Sequence, residues 1–273
     1  AIRAVSNTDI MVRALKYANA YNVLLMQHPE EPLLAKGGVM NAGILSTKLG
    51  VKGIPFEAEL IQVERDIRLA EMTGGRLHFF NISTRKSLEA IHIAQEKNIN
   101  ITCSTSPHYF KLTEESVKDW RTFAKVSPPL RTEDDRQAVE EAISNKIITC
   151  IASDHSPHDT DTKRLPFEQA SSGAIGFDSL LPISLELFHK KKITLMDLIS
   201  QLSTNAANLL NINTGTLKKG SPADIVVFNA DKDIVLSASN TLSKSKNSLY
   251  EDYNTKGSVL YTIIDGKIVY NGK

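Results

Sequence analysis

The segment "IITCIASDHSPHD" at residues 147–159 decides the fold prediction. An apolar run ends in Asp154, and His155 and His158 follow it in a polar stretch. This pattern is typical of a buried strand with polar residues at its carboxyl end, which is where parallel α/β folds bind ligands. The alternative is an ordinary polar turn, with Asp154 capping the next segment and the histidines on the surface. The spacing alone leaves both interpretations open.

Three other apolar runs precede this one and alternate with amphipathic stretches. The predicted strands are "NVLLMQH" (22–28), "RLHFFNIS" (76–83), "INITCSTS" (99–106) and "IITCIASD" (147–154). The predicted helices are 9–21, capped by Ser6 or Thr8; 57–72; a third that starts after Ser83 or Thr84 and runs to Lys97; and 132–145. Alternation of this kind predicts an α/β fold in which crossover helices join parallel strands. Uninterrupted apolar strands indicate burial on both faces of the sheet.

The pattern changes near Gly215 and becomes rich in β-strand signals. The pair Asp265-Gly266 lies between "VLYTII" and "KIVY", and such a pair is a strong signal for a hairpin. We therefore divide the chain into an α/β part at 1–213 and a small β module at 214–273. A closed (β/α)8 barrel needs eight strands. Only four are clear before residue 155, so a barrel here lacks its first strands.

Composition excludes several functional classes. The 273 residues include 32 Lys and Arg against 31 Asp and Glu, a net charge of +1, so we expect neither nucleic acid nor an anionic membrane as a partner. No apolar stretch reaches the ~18 residues of a membrane-spanning helix, and the start of the chain does not resemble a signal peptide. The two cysteines, Cys103 and Cys150, lie in strand-like runs, where buried reduced thiols and a cytoplasmic setting are expected.

Two predicted strands end in residues that bind metals. Asp154 beside imidazoles can ligate Zn²⁺ or act as a general base on a metal-bound water. His28 ends the first predicted strand, and although a lone histidine there is more often structural, a metal needs ligands that converge from several strand ends. Asn81 ends the second strand as a weak zinc ligand or as a hydrogen-bonding residue in the strand–helix turn. The sequence contains no G-x-S-x-G, G-x-x-x-x-G-K-[ST] or G-x-G-x-x-G motif, and neither cysteine belongs to a C-x-x-C pair.

Five segments together resemble the dihydroorotase family of the amidohydrolase superfamily. "IASDHSPHD" resembles the D-H-[AS]-P-H signature, "HPEEPLLAKGGVMNAG" resembles H-C-E-D…GG-x-M-x-x-G, and "NISTRKS" resembles H-[IV]-S-T-x-x-S. "KVSPPLR" resembles K-x-N-P-P-L-R, and "GTLKKGSPADIVVFN" resembles the return from the barrel to a small β-sandwich. The similarity covers essentially the whole chain. Allantoinases and dihydropyrimidinases are near neighbours that match less well.

The resemblance implies a TIM-type (β/α)8 barrel of the metal-dependent hydrolases with a small C-terminal β-sandwich. It implies zinc-dependent interconversion of L-dihydroorotate and N-carbamoyl-L-aspartate in pyrimidine biosynthesis. By motif, Asp154 binds metal and moves the proton, and His28 binds the second metal. His158 holds the substrate with main-chain groups near Gly173, and Ser127 stands where many members have a substrate-binding Asn.

The chain departs from the family pattern at three points. The H-x-H-x-R motif of the first barrel strand is absent, the bridging metal ligand falls at or just before Ala1, and Asn81 occupies the position of a family His ligand. Because the chain also begins without Met, we expect an N-terminally incomplete dihydroorotase that is inactive and marginally soluble by itself. The alternative is a non-catalytic dihydroorotase-like subunit that supports aspartate transcarbamoylase. A homo-oligomer is expected in either case.

Overall fold

A computed structural model describes residues 4–272. Its strands are β1 (Leu24–Gln27), β2 (Met40–Asn41), β3 (Gly53–Ile54), β4 (Arg76–Phe79), β5 (Ile101–Thr105), β6 (Cys150–Ile151), β7 (Ile225–Leu236), β8 (Tyr253–Ile264) and β9 (Lys267–Asn271). The α-helices are α1 (Thr8–Ala20), α2 (Pro32–Ala35), α3 (Ile44–Leu49), α4 (Glu57–Thr73), α5 (Arg85–Glu96), α6 (Pro107–Lys111), α7 (Glu133–Ser144), α8 (Thr160–Arg164), α9 (Phe177–His189), α10 (Leu195–Ile199) and α11 (Asn205–Leu210). Short 3₁₀ helices at Glu114–Trp120 and Thr122–Ala124 follow α6, and a π-helical turn at Ser200–Thr204 joins α10 to α11.

The four predicted strands form one parallel sheet in the order β1-β4-β5-β6. Gln27 at the end of β1 pairs with Phe79 at the end of β4. The carboxyl ends of neighbouring strands therefore lie along one edge of the sheet. This confirms the strand prediction and its consequence, a single edge that gathers the residues following each strand.

The helices pack on this sheet through the apolar faces that the periodicity predicts. Met11, Leu15 and Ala18 of α1 are buried, and Leu77 and Phe79 of β4 are fully buried in the common core. Thr84 caps α5 through its side chain, as one of the two predicted alternatives. The caps predicted for α1 are wrong, because Asn7 accepts the hydrogen bond from the Ile10 amide.

A second parallel pair, β2 and β3, was not predicted. Each strand has only two residues, too few for a periodic pattern to be visible. Gly53 allows the close approach, since a Cβ on it would lie 2.2 Å from the Cα of Ala42.

The C-terminal strands form a separate antiparallel sheet in the order β7-β8-β9. The predicted hairpin turn is present, with positive φ at both Asp265 (48°) and Gly266 (74°), as a two-residue type I′ connection requires. Helix α9 packs against β8. Past β6, the parallel pairing within residues 4–272 consists of isolated bridges between His155 and Ala174 and between Ile175 and Ser248. Within residues 4–272, no helix combines the length and apolar character needed to cross a membrane.

Candidate active site

The polar residues that follow the parallel strands meet at the carboxyl edge of the sheet. His28 follows β1 directly, Asn81 lies just past β4, and Asp154 lies just past β6. The Asn81 side-chain amide donates a hydrogen bond to the Asp154 carboxylate, with 2.8 Å between Nδ2 and Oδ1. The structure thus brings together two of the three predicted ligand positions and defines how they interact.

Asn81 and Asp154 both have left-handed backbone conformations, with φ of 60° and 47°. Asn and Asp tolerate this region better than most residues, because their short polar side chains form local hydrogen bonds. The side chains of Asn81 and Asp154 meet although β5 lies between β4 and β6 in the sheet. Residues held this way often mark functional sites.

Burial raises the pKa of Asp154 to about 6, and the hydrogen bond from Asn81 only partly opposes this effect. A carboxyl group with such a pKa can both take up and release a proton near neutral pH. This is the property required of a general acid–base residue.

His28 is buried against Phe80, with ring centroids 5.6 Å apart. Burial lowers its pKa, while Glu30 and Glu59 act in the opposite direction. Its Nδ1 has no hydrogen-bond partner within residues 4–272. A neutral imidazole with a free nitrogen suits a metal ligand, so the predicted role of His28 is chemically reasonable.

The described residues do not by themselves make up a zinc site. Residues 4–272 contain no group of three His, Cys, Asp or Glu side chains that could hold a metal ion. A catalytic zinc site uses three protein ligands, whereas Asn81 presents its amide nitrogen to Asp154. The bridging ligand expected at Ala1 concerns a residue outside the described range. Metal binding by His28, Asn81 and Asp154 therefore stays a prediction.

His158 lies beside the segment that contains Gly173. Its Nε2 is 2.9 Å from the carbonyl oxygen of Ser172. Gly173 has φ of 133°, and a Cβ there would lie 2.5 Å from the Ser156 hydroxyl and 2.9 Å from Nε2 of His158. Only glycine fits, so the predicted pairing of His158 with the Gly173 segment has a clear steric basis. The amide of Gly173 already donates to the Lys125 carbonyl at 2.9 Å.

Asn247 joins this site from a loop that the sequence predicts only as irregular. It is buried; its Oδ1 accepts from the His158 amide at 3.2 Å, and its Nδ2 donates to the carbonyls of Ser156 (3.0 Å) and Gly173 (3.1 Å). No local pattern distinguishes this Asn from its Ser-rich surroundings. Lys125 and Lys163, which hold the same segment, were also not predicted as part of the site.

The other predicted residues lie nearby in more ordinary surroundings. The ring of His155 stacks on Phe177, with 3.9 Å between centroids, and its Nδ1 accepts from the Gly176 amide at 3.2 Å. These contacts give His155 a structural role. Ser127 is exposed and precedes a cis peptide bond to Pro128, and its substrate-binding role stays a prediction.

Comparison with known proteins identifies the relatives of this chain. The model of the amidohydrolase family matches residues 3–269. A dihydroorotase of Geobacter metallireducens is 43% identical over 266 residues, which are 97% of this chain and 63% of that protein. A dihydroorotase of Acetivibrio thermocellus is 41% identical over 272 residues, which are 99% of this chain and 64% of that protein. The chain thus spans less than two thirds of the length of these relatives.

Solved structures share the fold at lower sequence identity. An L-hydantoinase (dihydropyrimidinase) from Arthrobacter aurescens superimposes with a TM-score of 0.85 at 23% identity, covering 97% of this chain and 61% of that one. A dihydropyrimidinase from Brevibacillus agri NCHU1002 gives 0.85 at 24% identity, covering 97% and 60%. These matches confirm the predicted fold of the metal-dependent hydrolase barrel, with a parallel sheet and a separate antiparallel sheet.

Proposed function

This chain belongs to the amidohydrolase family, and from that premise we propose that the whole protein is a dihydroorotase. The reaction is the reversible hydrolysis of a cyclic amide, which interconverts L-dihydroorotate and N-carbamoyl-L-aspartate in pyrimidine (UMP) biosynthesis. The substrate is suggested by relatives at 40–43% identity that carry this name.

The observation that carries the proposal is Asp154 at the carboxyl end of β6. It is a partly buried carboxyl group with a pKa of about 6, at the edge where parallel folds perform their chemistry. We propose that its carboxylate takes a proton from the attacking water and returns it to the leaving amide nitrogen. One group then serves as base and acid in a single turnover, and it is regenerated unchanged.

His158 is proposed to hold the substrate beside Gly173, with Ser127 on the adjacent loop. The Ser172 carbonyl fixes the His158 ring from one side. The fixed ring presents a defined edge to the substrate and reduces the entropy lost on binding.

The family is metal-dependent, and we propose zinc as the metal. His28, Asp154 and Asn81 are the candidate ligands within this chain. A complete site needs more ligands than residues 4–272 supply.

The Asn81–Asp154 hydrogen bond favours a second candidate function. The Asn81 amide satisfies the carboxylate without a metal, in a position where the family pattern has a His ligand. The protein would then be a non-catalytic dihydroorotase-like subunit that supports aspartate transcarbamoylase. The homo-oligomeric state and a cytoplasmic location are proposed for both functions, and the two free, buried cysteines support a reducing compartment.

The two functions are separated by zinc content and turnover of the protein expressed from the complete gene. A dihydroorotase is expected to carry one or two zinc ions per chain by elemental analysis and to open the ring of L-dihydroorotate, followed by chromatography. Asp154→Asn should abolish turnover without unfolding the protein. A folded, zinc-free protein without turnover would contradict the dihydroorotase proposal. Binding to aspartate transcarbamoylase would then be measured to test the second function. Residues 1–273 expressed alone are expected to be inactive.

A further inference from the structure

Lys163 is a fully buried lysine whose hydrogen-bond partners are all main-chain carbonyls. It lies in α8 with 1% of its surface exposed. Its Nζ is 2.8 Å from the Ser171 oxygen, 3.0 Å from the Gly173 oxygen and 3.4 Å from the Lys125 oxygen. An ammonium group has three donors on a compact head, so this arrangement uses the full capacity of the side chain.

Lys125 holds the other end of the same segment. Its Nζ donates to the carbonyls of Phe167 (2.8 Å) and Glu168 (2.9 Å). Its own carbonyl accepts from the Gly173 amide at 2.9 Å. The two lysines therefore fix the segment 167–173 from the interior.

Placing two ammonium groups here costs free energy. Burial, reinforced by the positive charge of Lys125, lowers the pKa of Lys163 to about 8. Carbonyl dipoles compensate a buried cation less well than a carboxylate does. In return, the main-chain conformation is well defined, because the carbonyls of Lys125, Ser171 and Gly173 must all point at Nζ of Lys163.

The carbonyl between two of these fixed groups contacts His158. Ser172 lies between Ser171 and Gly173, and its oxygen is 2.9 Å from Nε2 of His158. When the carbonyls on either side are anchored to Lys163, the orientation of the Ser172 carbonyl is also determined. An oriented carbonyl next to an imidazole fixes both the ring position and the nitrogen that carries the proton.

We propose that Lys163 is a positioning residue for substrate binding, which holds the segment 171–173 so that the Ser172 carbonyl orients the imidazole of His158. The substrate named in the kinetic test rests on the proposed dihydroorotase function. The orientation of His158 by Lys163 does not depend on that function.

The test uses Lys163→Met in the protein expressed from the complete gene. Methionine keeps the apolar stem of the lysine and removes all three donors. Lys86→Met is the matched control, because Lys86 is exposed and pairs with Glu89 on its own helix. Lys163→Gln keeps two donors and is the second variant if Lys163→Met does not fold.

Two readouts report on the segment without requiring activity. Hydrogen exchange at the Gly173 amide is expected to be at least about 10-fold faster in Lys163→Met. This amide donates to the Lys125 carbonyl, and the variant removes the ammonium group that holds both the Lys125 carbonyl and the segment 171–173. The ¹⁵N shifts of His158 should change from one dominant tautomer, protonated at Nε2, to a mixture. Lys163→Gln should give intermediate values, and Lys86→Met should match the unmodified protein.

The kinetic readout separates positioning from general loss of structure. The KM for L-dihydroorotate should rise about 10-fold, at the lower end of the loss caused by removing the hydrogen-bond partners of metal ligands, and kcat should change less than about threefold. Unchanged exchange, His158 tautomer and KM in a folded Lys163→Met or Lys163→Gln protein would overturn the inference. A protein without dihydroorotase activity would contradict the proposed function alone, since exchange and the tautomer still decide the role of Lys163.

Discussion

At the scale of single residues, the site combines strain with an unfavourable charge. Asp154 has a left-handed backbone and a carboxyl group whose pKa burial raises to about 6. Both properties reduce the stability of the folded protein at neutral pH. Because neither property favours stability, Asp154 is a candidate for a functional role.

Asp154→Asn is therefore expected to stabilise the metal-free protein. The rise in pKa from 3.8 to about 6 corresponds to at most about 3 kcal/mol at pH 7. Asparagine also adopts positive φ readily and can still accept the hydrogen bond from Asn81. Urea unfolding at pH 7 should show a gain of ~1–3 kcal/mol.

The pH dependence of the stability gained in Asp154→Asn identifies the cause of that gain. A carboxyl group with a raised folded pKa destabilises the protein above that pKa, and the effect disappears below the unfolded value of 3.8. The gain should therefore be complete above about pH 6 and vanish near pH 4. Asp252→Asn is the control, because Asp252 is exposed and also has positive φ (51°). An equal gain from both substitutions would assign the effect to the backbone.

At the scale of elements, one carboxylate joins two helices behind the site. Glu59 of α4 is 2% exposed. It accepts hydrogen bonds from the amides and hydroxyls of Ser83 and Thr84, at 2.6–3.3 Å, where α5 begins. This contact fixes the turn that carries Asn81, which lies just before Ser83.

Glu59→Gln should destabilise the protein by about 1–3 kcal/mol. The side-chain NH₂ of glutamine cannot accept hydrogen bonds, so some of the amides and hydroxyls of Ser83 and Thr84 would lose their acceptor. Chemical denaturation monitored by circular dichroism measures the loss. Glu64→Gln, at an exposed position of the same helix, should change stability by less than about 0.5 kcal/mol. Similar losses in the two variants would show that the buried contact is not important.

The elements also show where local sequence information is sufficient. The start of α5 was predicted with Ser83 or Thr84 as its cap, and the structure selects Thr84. The Asp265-Gly266 turn was predicted because this turn needs two residues with positive φ. The cap of α1 was predicted wrongly, since Ser6, Asn7 and Thr8 are all good capping residues and local sequence does not choose among them. Strands β2 and β3 are held by their mutual pairing and by the close approach that Gly53 allows. Neither feature produces a periodic pattern in the sequence. The boundary between residues 213 and 214 stays a prediction.

At the scale of the whole molecule, buried neutral histidines limit stability in acid. Burial lowers the pKa of His78 to about 4 and that of His108 to about 3. Below the unfolded value of about 6.5, the unfolded chain binds more protons than the folded one, so stability falls with pH. Each histidine should cost about 2 kcal/mol by pH 5. Asp154 acts in the opposite direction over this range, because its folded pKa is raised.

His108→Leu should reduce the loss of stability between pH 7 and pH 5 by about 2 kcal/mol. Neither ring nitrogen of His108 has a hydrogen-bond partner within residues 4–272, so the substitution breaks no bond among them. Urea titrations at the two pH values measure the effect. If His108→Leu loses as much stability between pH 7 and pH 5 as the unmodified protein, His108 is not the origin of that loss.

The C-terminal sheet exposes apolar residues that favour association of residues 1–273. Strand β9 lies at the edge of its sheet, and Ile268 (63%), Val269 (59%) and Ile264 (53%) are largely exposed. Unpaired edges with apolar side chains promote pairing between chains. We expect light scattering to detect association at micromolar concentration, and Ile268→Lys to reduce it.

Leu217→Lys provides the control for this prediction, because Leu217 is 82% exposed in a loop. The same reduction from both substitutions would mean that added charge, not the sheet edge, is responsible. A monomeric protein with a sharp, cooperative melt would contradict the prediction.

Local sequence information was enough to predict the alternation of strands and helices, the parallel sheet, the hairpin and the position of Asp154 at a strand end. These follow from local periodicity and turn chemistry, which act over a few residues. The folded structure was needed to show that Asn81 donates to Asp154 across 73 positions, that Asn247 reaches His158 across 89 and that Lys163 is buried. Contacts of this kind depend on how distant elements pack, and packing places side chains together that no local pattern relates.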